Sequence, residues 1–111
     1  TYEGGVIAPG VNLSIKNLSQ ATALLPLINL KTHQKSYGKN TIEALNAGFV
    51  WGYEGLINNI IDKIIFRSKI KYKILLTGGY ANFFNKMIKK KVVIDQDITI
   101  KGIANAYKEL V

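Results

Sequence analysis

Residues 73–94 read KILLTGGYANFFNKMIKKKVVI, and the architecture of the chain follows from them. Lys73 to Leu76 is a short apolar run closed by Thr77-Gly78-Gly79, the pattern of a buried strand entering a glycine turn. Tyr80 to Lys89 then carries Phe83, Phe84, Met87 and Ile88 on one helical face, and Val92 to Ile94 is a second, β-branched strand. Strands alternating with helices predict an α/β layered domain with a partly parallel sheet. A terminal helix is expected over Ile100 to Leu110, marked by Ile103, Ala104, Tyr107 and Leu110.

Upstream lies the clearest helix signal. Asn40 followed by Glu43 fits a capping box, in which Asn40 caps the helix and the Glu43 carboxylate reaches back to the Asn40 N–H. Thr41 to Phe66 then runs without proline, with Ile57, Ile60, Ile61, Ile64 and Ile65 continuing an apolar stripe toward the core. Ala44, Ala47, Gly48, Gly52 and Gly55 set small residues along one side. Each interior glycine costs about 1 kcal/mol relative to alanine, so a close approach by another helix or a second subunit is expected there. Val11, Ile15, Leu18 and Thr22 mark an earlier amphipathic helix over about residues 11–23, stopped by Pro26. Tyr2 to Ala8 reads as a strand entering the Pro9-Gly10 turn, and Leu27 to Leu30 as a short edge strand. The segment 31–39 reads as an exposed polar loop. No internal repeat or linker is evident, so residues 1–111 are expected to form one domain.

Composition excludes several classes. With no cysteine and only His33 as histidine, disulfide scaffolds, thiol nucleophiles and the common zinc sites drop out. Fifteen Lys and Arg against seven Asp and Glu give a net charge of +8. Fourteen of the fifteen basic residues are lysines, which weighs against sequence-specific nucleic-acid recognition. Leu56 to Phe66 is too short and too often interrupted by polar residues to span a bilayer, so no membrane span and a cytoplasmic location are expected. Of the carboxylates, none forms a convincing acid–base pair. Gly4-Gly5 permits either a β-bulge or the close approach of a ligand. Thr77-Gly78-Gly79 is either an ordinary turn or a ligand-facing edge of the sheet, and Thr41 either a capping residue or a hydroxyl offered to a polar ligand. Gly38-Lys39-Asn40-Thr41 lacks the leading glycine of a P-loop and is not assigned as one.

Taken together, GGVIAPG (4–10), YGKNT (37–41) leading into EALNAGFVWGYEGL, LLTGGYA (75–81) and DQDITIKGIANAYKEL (95–110) resemble the C-terminal half of a type III pantothenate kinase. That family includes Bvg accessory factor-like proteins and falls in the acetate kinase, sugar kinase, Hsp70 and actin superfamily. The resemblance implies a ribonuclease H-like domain, the C-terminal half of a two-domain kinase. It implies phosphorylation of pantothenate by ATP, with magnesium and a monovalent cation (potassium or ammonium), at the start of coenzyme A biosynthesis. It also implies a homodimer, here expected through the Gly48/Gly52/Gly55 helix face. By residue-wise likeness Thr41 contacts pantothenate, Ile7 packs beside that substrate, and Gly78 and Gly79 lie near the adenosine. The family's phosphate loop, its GADR segment with the catalytic aspartate and its cation-holding DxGT segment have no counterpart in these residues. A fragment is therefore expected, with no catalytic or metal-binding residue of its own and no turnover alone. The alternatives are a non-enzymatic transcriptional regulator on the same fold and a different sugar or acid kinase of the superfamily.

Overall fold

The computed structural model describes residues 2–21, 29–31 and 35–110. Of the edge strand expected at Leu27 to Leu30, Leu27 and Ile28 lie outside these residues and Asn29 and Leu30 are not in a strand; His33 also lies outside them. The order of elements is α1 (Val11–Ala21), α2 (Thr41–Ser68), β1 (Ile74–Leu76), α3 (Ala81–Phe84), a 3-10 turn (Asn85–Met87), β2 (Val92–Ile94) and α4 (Ile98–Leu110). The chain divides into two compact units, residues 1–61 and 62–111.

In the first unit, α1 buries Val11 and Ile15, two residues of the stripe read from the sequence. The buried face of α2 in this unit is Asn46, Ala47, Val50 and Asn58. Tyr53 ties the Pro9-Gly10 turn and α1 to α2. Its hydroxyl donates to the Pro9 carbonyl at 2.9 Å and stands 2.8 Å from Ser14 Oγ. A phenol has one proton, and a carbonyl can only accept, so Ser14 is the donor to Tyr53. The Tyr53 ring also stacks on Phe49, with centroids 6.3 Å apart.

The strand expected over Tyr2 to Ala8 is not formed. A strand exists only through a ladder with a neighbour, and residues 2–10 pair with none among the described residues. Tyr2 is 84% exposed and Ile7 fully so. The small-residue face, expected to meet another helix or a second subunit, is open among the described residues. Beyond the adjoining backbone of α2 itself, no described atom lies within 4 Å of where a Cβ would stand on Gly48, Gly52 or Gly55. The close approach expected to offset their helix-breaking tendency is thus not supplied by another helix among the described residues.

The second unit holds the sheet. β1 and β2 are parallel, in the register Ile74↔Val92, Leu75↔Val93 and Leu76↔Ile94. The connection between them is the expected helix in shortened form: α3 spans four residues and then tightens into the 3-10 turn. It still turns Phe84 and Ile88 inward, and Phe83 packs edge-on against Phe84 at 4.8 Å between centroids. Lys69, one residue past the end of α2, adopts φ +59°, the left-handed conformation usual for a glycine at a helix C-terminus. The stripe Ile57, Ile60, Ile61, Ile65 is half-buried, while Ile64 is 42% exposed. On α4, Ile100, Ile103 and Tyr107 are exposed. Among the described residues no helix is long and apolar enough to cross a membrane.

Candidate functional site

The N-terminus of α2 is built by YGKNT. Asn40 is the cap, its Oδ1 accepting from the Glu43 N–H at 2.9 Å. The return arm of the box is displaced by one residue: Glu43 Oε2 accepts from the N–H of Lys39, also at 2.9 Å, and not from that of Asn40. The backbone of Gly38 lies directly on the first turn, where an added Cβ would overlap the Ala44 nitrogen and stand 2.6 Å from the Ala44 Cα. Only glycine permits this approach, which is a reason for the residue that spacing alone did not reveal.

Beside this turn opens a cleft of about 420 Å³ walled by Lys31, Lys35, Tyr37, Lys39, Ile42 and Glu43, among others. Its far side is fixed by Asn46, which is buried and behaves as a surrogate strand. Asn46 Oδ1 accepts from the Lys31 N–H at 2.7 Å, and Nδ2 donates to the Lys31 carbonyl at 3.0 Å. Periodicity marks Asn46 merely as a polar residue on an apolar face, so this role was not legible. Thr41 is the first helical residue and is exposed; its neighbours Ile42 and Glu43 form part of the cleft wall. Neither Thr41 nor Ile7 itself lines this cleft. A second groove, about 470 Å³, crosses the bare side of α2 over Gly48 and Gly52, with Pro9, Leu18 and Leu56 among its walls.

The other pair of candidate residues lies at the carboxyl ends of the parallel strands. Gly78 adopts φ +97°, which an L side chain rarely tolerates, and no atom lies within 4 Å of a Cβ position on Gly78 or Gly79. The turn therefore presents bare backbone. The helix that follows is a single turn, and the Ala81 N–H donates to the Gly78 carbonyl at 3.2 Å.

The strand ends are locked by the loop after β2. The Asp95 N–H donates to the Leu76 carbonyl at 2.9 Å, and Gln96 Nε2 donates to the Gly78 carbonyl at 3.0 Å. Asp95 itself accepts from Lys101 Nζ, at 3.0 and 3.2 Å to its two oxygens, and from the Asp97 N–H at 3.1 Å. The Lys101 hydrogen bond chiefly holds its carboxyl below the usual value, with desolvation opposing and the Asp97 N–H and the Lys101 charge assisting. No group of three or more acidic, cysteine or histidine side chains converges among the described residues, and Asp95 is already engaged by Lys101. These side chains do not fit a carboxylate site for a divalent cation.

Helices and a parallel strand pair closed by a glycine turn, with a separate cleft beside a helix terminus, place the chain in the α/β class. Comparison with known sequences narrows that class. The profile of the type III pantothenate kinase family matches residues 1–63. The chain is 51% identical over 106 residues to the type III pantothenate kinase of Pelagibacter ubique (strain HTCC1062), covering 96% of this chain and 43% of that protein. It is 37% identical over 107 residues to that of Ruegeria sp. (strain TM1040), covering 96% and 41%. For that of Paracoccus denitrificans (strain Pd 1222) the identity is 38% over 102 residues, covering 92% and 39%. The chain belongs to the type III pantothenate kinase family, and it spans well under half the length of these relatives.

Proposed function

We propose that this chain is one wall of the active-site cleft of an ATP-dependent pantothenate kinase, acting in coenzyme A biosynthesis in the cytoplasm. The observation that carries the reading is the 51% identity over nearly the whole chain, running through both the helix terminus and the glycine turn. In this reading residues 1–111 are the C-terminal domain of a two-domain protein with a ribonuclease H-like, actin-related fold. Thr41 offers its exposed hydroxyl to pantothenate, with Ile7 brought beside the same substrate in the complete protein. Gly78 and Gly79 present bare backbone to the adenosine of ATP. The catalytic carboxylate, the residues that hold magnesium and those that hold potassium or ammonium belong to the remainder of the protein. Phosphoryl transfer rests on positioning and charge neutralisation, and this wall contributes positioning. Two copies associate through the side of α2 that carries Gly48, Gly52 and Gly55, where helix backbones can approach closely.

The test is an ATP-dependent phosphorylation assay on the intact protein and on its Thr41→Val variant. Phosphopantothenate formation is expected from the intact protein and none from residues 1–111 alone. In the variant the pantothenate KM should rise roughly 10-fold, the scale of one lost substrate hydrogen bond, with the ATP KM unchanged. An inactive intact protein, or a Thr41→Val variant with native pantothenate KM, overturns the respective part of the reading.

A further inference from the structure

We propose that Gln96 is a positioning residue for nucleotide binding, acting through the carbonyl of Gly78; this rests on the reading of Gly78 and Gly79 as the adenosine turn. Three observations carry it. The Gly78 carbonyl is held only weakly by its own turn: Gly78 sits at φ +97°, where L side chains are rarely found, and the local hydrogen bond, from Ala81, is a long 3.2 Å. The shorter bond on the same carbonyl, 3.0 Å, comes from a side chain eighteen residues away in sequence. That side chain is itself anchored: the preceding residue, Asp95, is fixed to β1 through Leu76 and to α4 through Lys101.

The orientation of the Gln96 amide is set by chemistry. The Gly78 carbonyl can only accept, so the amide nitrogen must face it and Oε1 must point away. Gln96 thereby fixes the direction of the Gly78–Gly79 peptide plane, whose N–H and open face are what a nucleoside meets. Since Gln96 is exposed and buries little apolar surface, its removal should spare the fold and loosen the turn.

The experiment compares Gln96→Ala, Gln96→Glu and Gly78→Ala in the intact protein. It reads the KM for ATP, the KM for pantothenate, the binding of adenosine by calorimetry and the thermal midpoint. Gln96→Ala should raise the ATP KM and weaken adenosine binding about 3- to 10-fold, the scale of one net hydrogen bond, with the pantothenate KM and the thermal midpoint unchanged. Gln96→Glu, which sets an acceptor against an acceptor, should be at least as severe. Adenosine carries no phosphate, so this comparison is free of repulsion between the new carboxylate and a triphosphate. If Gly78→Ala weakens nucleotide binding and Gln96→Ala does not, the role given to Gln96 is overturned while the glycine-turn reading stands. If the midpoint and both KM values shift together, Gln96 is merely structural and the proposal fails. If Gly78→Ala folds normally and leaves ATP and adenosine unaffected, the adenosine-turn reading falls and this inference falls with it.

Discussion

Replacing Gly38 with alanine puts a single methyl group where the structure has no space for it. Gly38 does not hold a left-handed conformation, so the substitution carries no dihedral penalty and its whole effect is steric. The methyl carbon would overlap the Ala44 nitrogen and the Glu43 carbonyl carbon, which are helix backbone and cannot rotate away as a flexible side chain would. Relief requires the 37–39 segment to move off the first turn of α2. Overpacking of this kind costs about 1–3 kcal/mol. The same movement draws the Lys39 N–H from Glu43 and strains the Asn40 cap, together worth about 1 kcal/mol more. A loss of about 2–4 kcal/mol is therefore expected from urea unfolding of the intact protein followed by circular dichroism, with the slope of the transition unchanged. Asn40→Ala, which removes the cap but leaves Gly38 seated, should lose only about 1 kcal/mol. A Gly38→Ala variant within 0.5 kcal/mol of the parent would show that the loop does not rest on the helix as described.

Asn46→Leu keeps the branching of a buried side chain but strips both hydrogen bonds from Lys31, so a loss of about 2 kcal/mol is expected in the same unfolding assay; no loss would mean that water replaces the amide. Lys69→Gly relieves a left-handed lysine at the end of α2 and should gain about 1 kcal/mol, read as a higher urea midpoint. Because the Asp95 pKa is lowered in the folded protein, its stabilising contribution is complete above the ordinary carboxylate pKa and disappears as pH falls through the folded value. Lys101→Ala should move the carboxyl resonance titration of Asp95 upward; an unmoved titration would remove Lys101 as its cause. Leucine at Gly48 and Gly52 meets open space within the isolated chain, so Gly48→Leu/Gly52→Leu should fold normally yet sediment as a monomer. A dimer of native strength would place the subunit contact elsewhere.

Legibility in the sequence tracked the range over which each feature is determined. α2 and its cap were visible because Asn40, Glu43 and the long proline-free run act within a few residues of one another. β1, β2 and their parallel pairing were visible because an apolar run, a glycine turn and a β-branched run lie within about twenty residues. Residues 2–8 misled because β propensity is local whereas a ladder needs a partner from elsewhere. The length of α3 was overread because its aromatic spacing suits the 3-10 turn of Asn85–Met87 as well as another α-helical turn. At the candidate site, Thr41 and the Gly78-Gly79 turn stood out by residue type and position. Gly38, Asn46 and Gln96 did not, because each acts through a backbone atom at a distance that no motif spacing encodes.

Among the described residues the sheet is two strands wide and three rungs long, and neither strand is interior there. Each therefore keeps an outer row of peptide donors and acceptors that the other cannot satisfy, and a ribbon this narrow is barely self-supporting in water. Produced in isolation, residues 62–111 would present two sticky margins and tend to zip onto one another into aggregates. Fusion to a segment that supplies a flanking strand should reduce that aggregation without altering the Gly78-Gly79 turn.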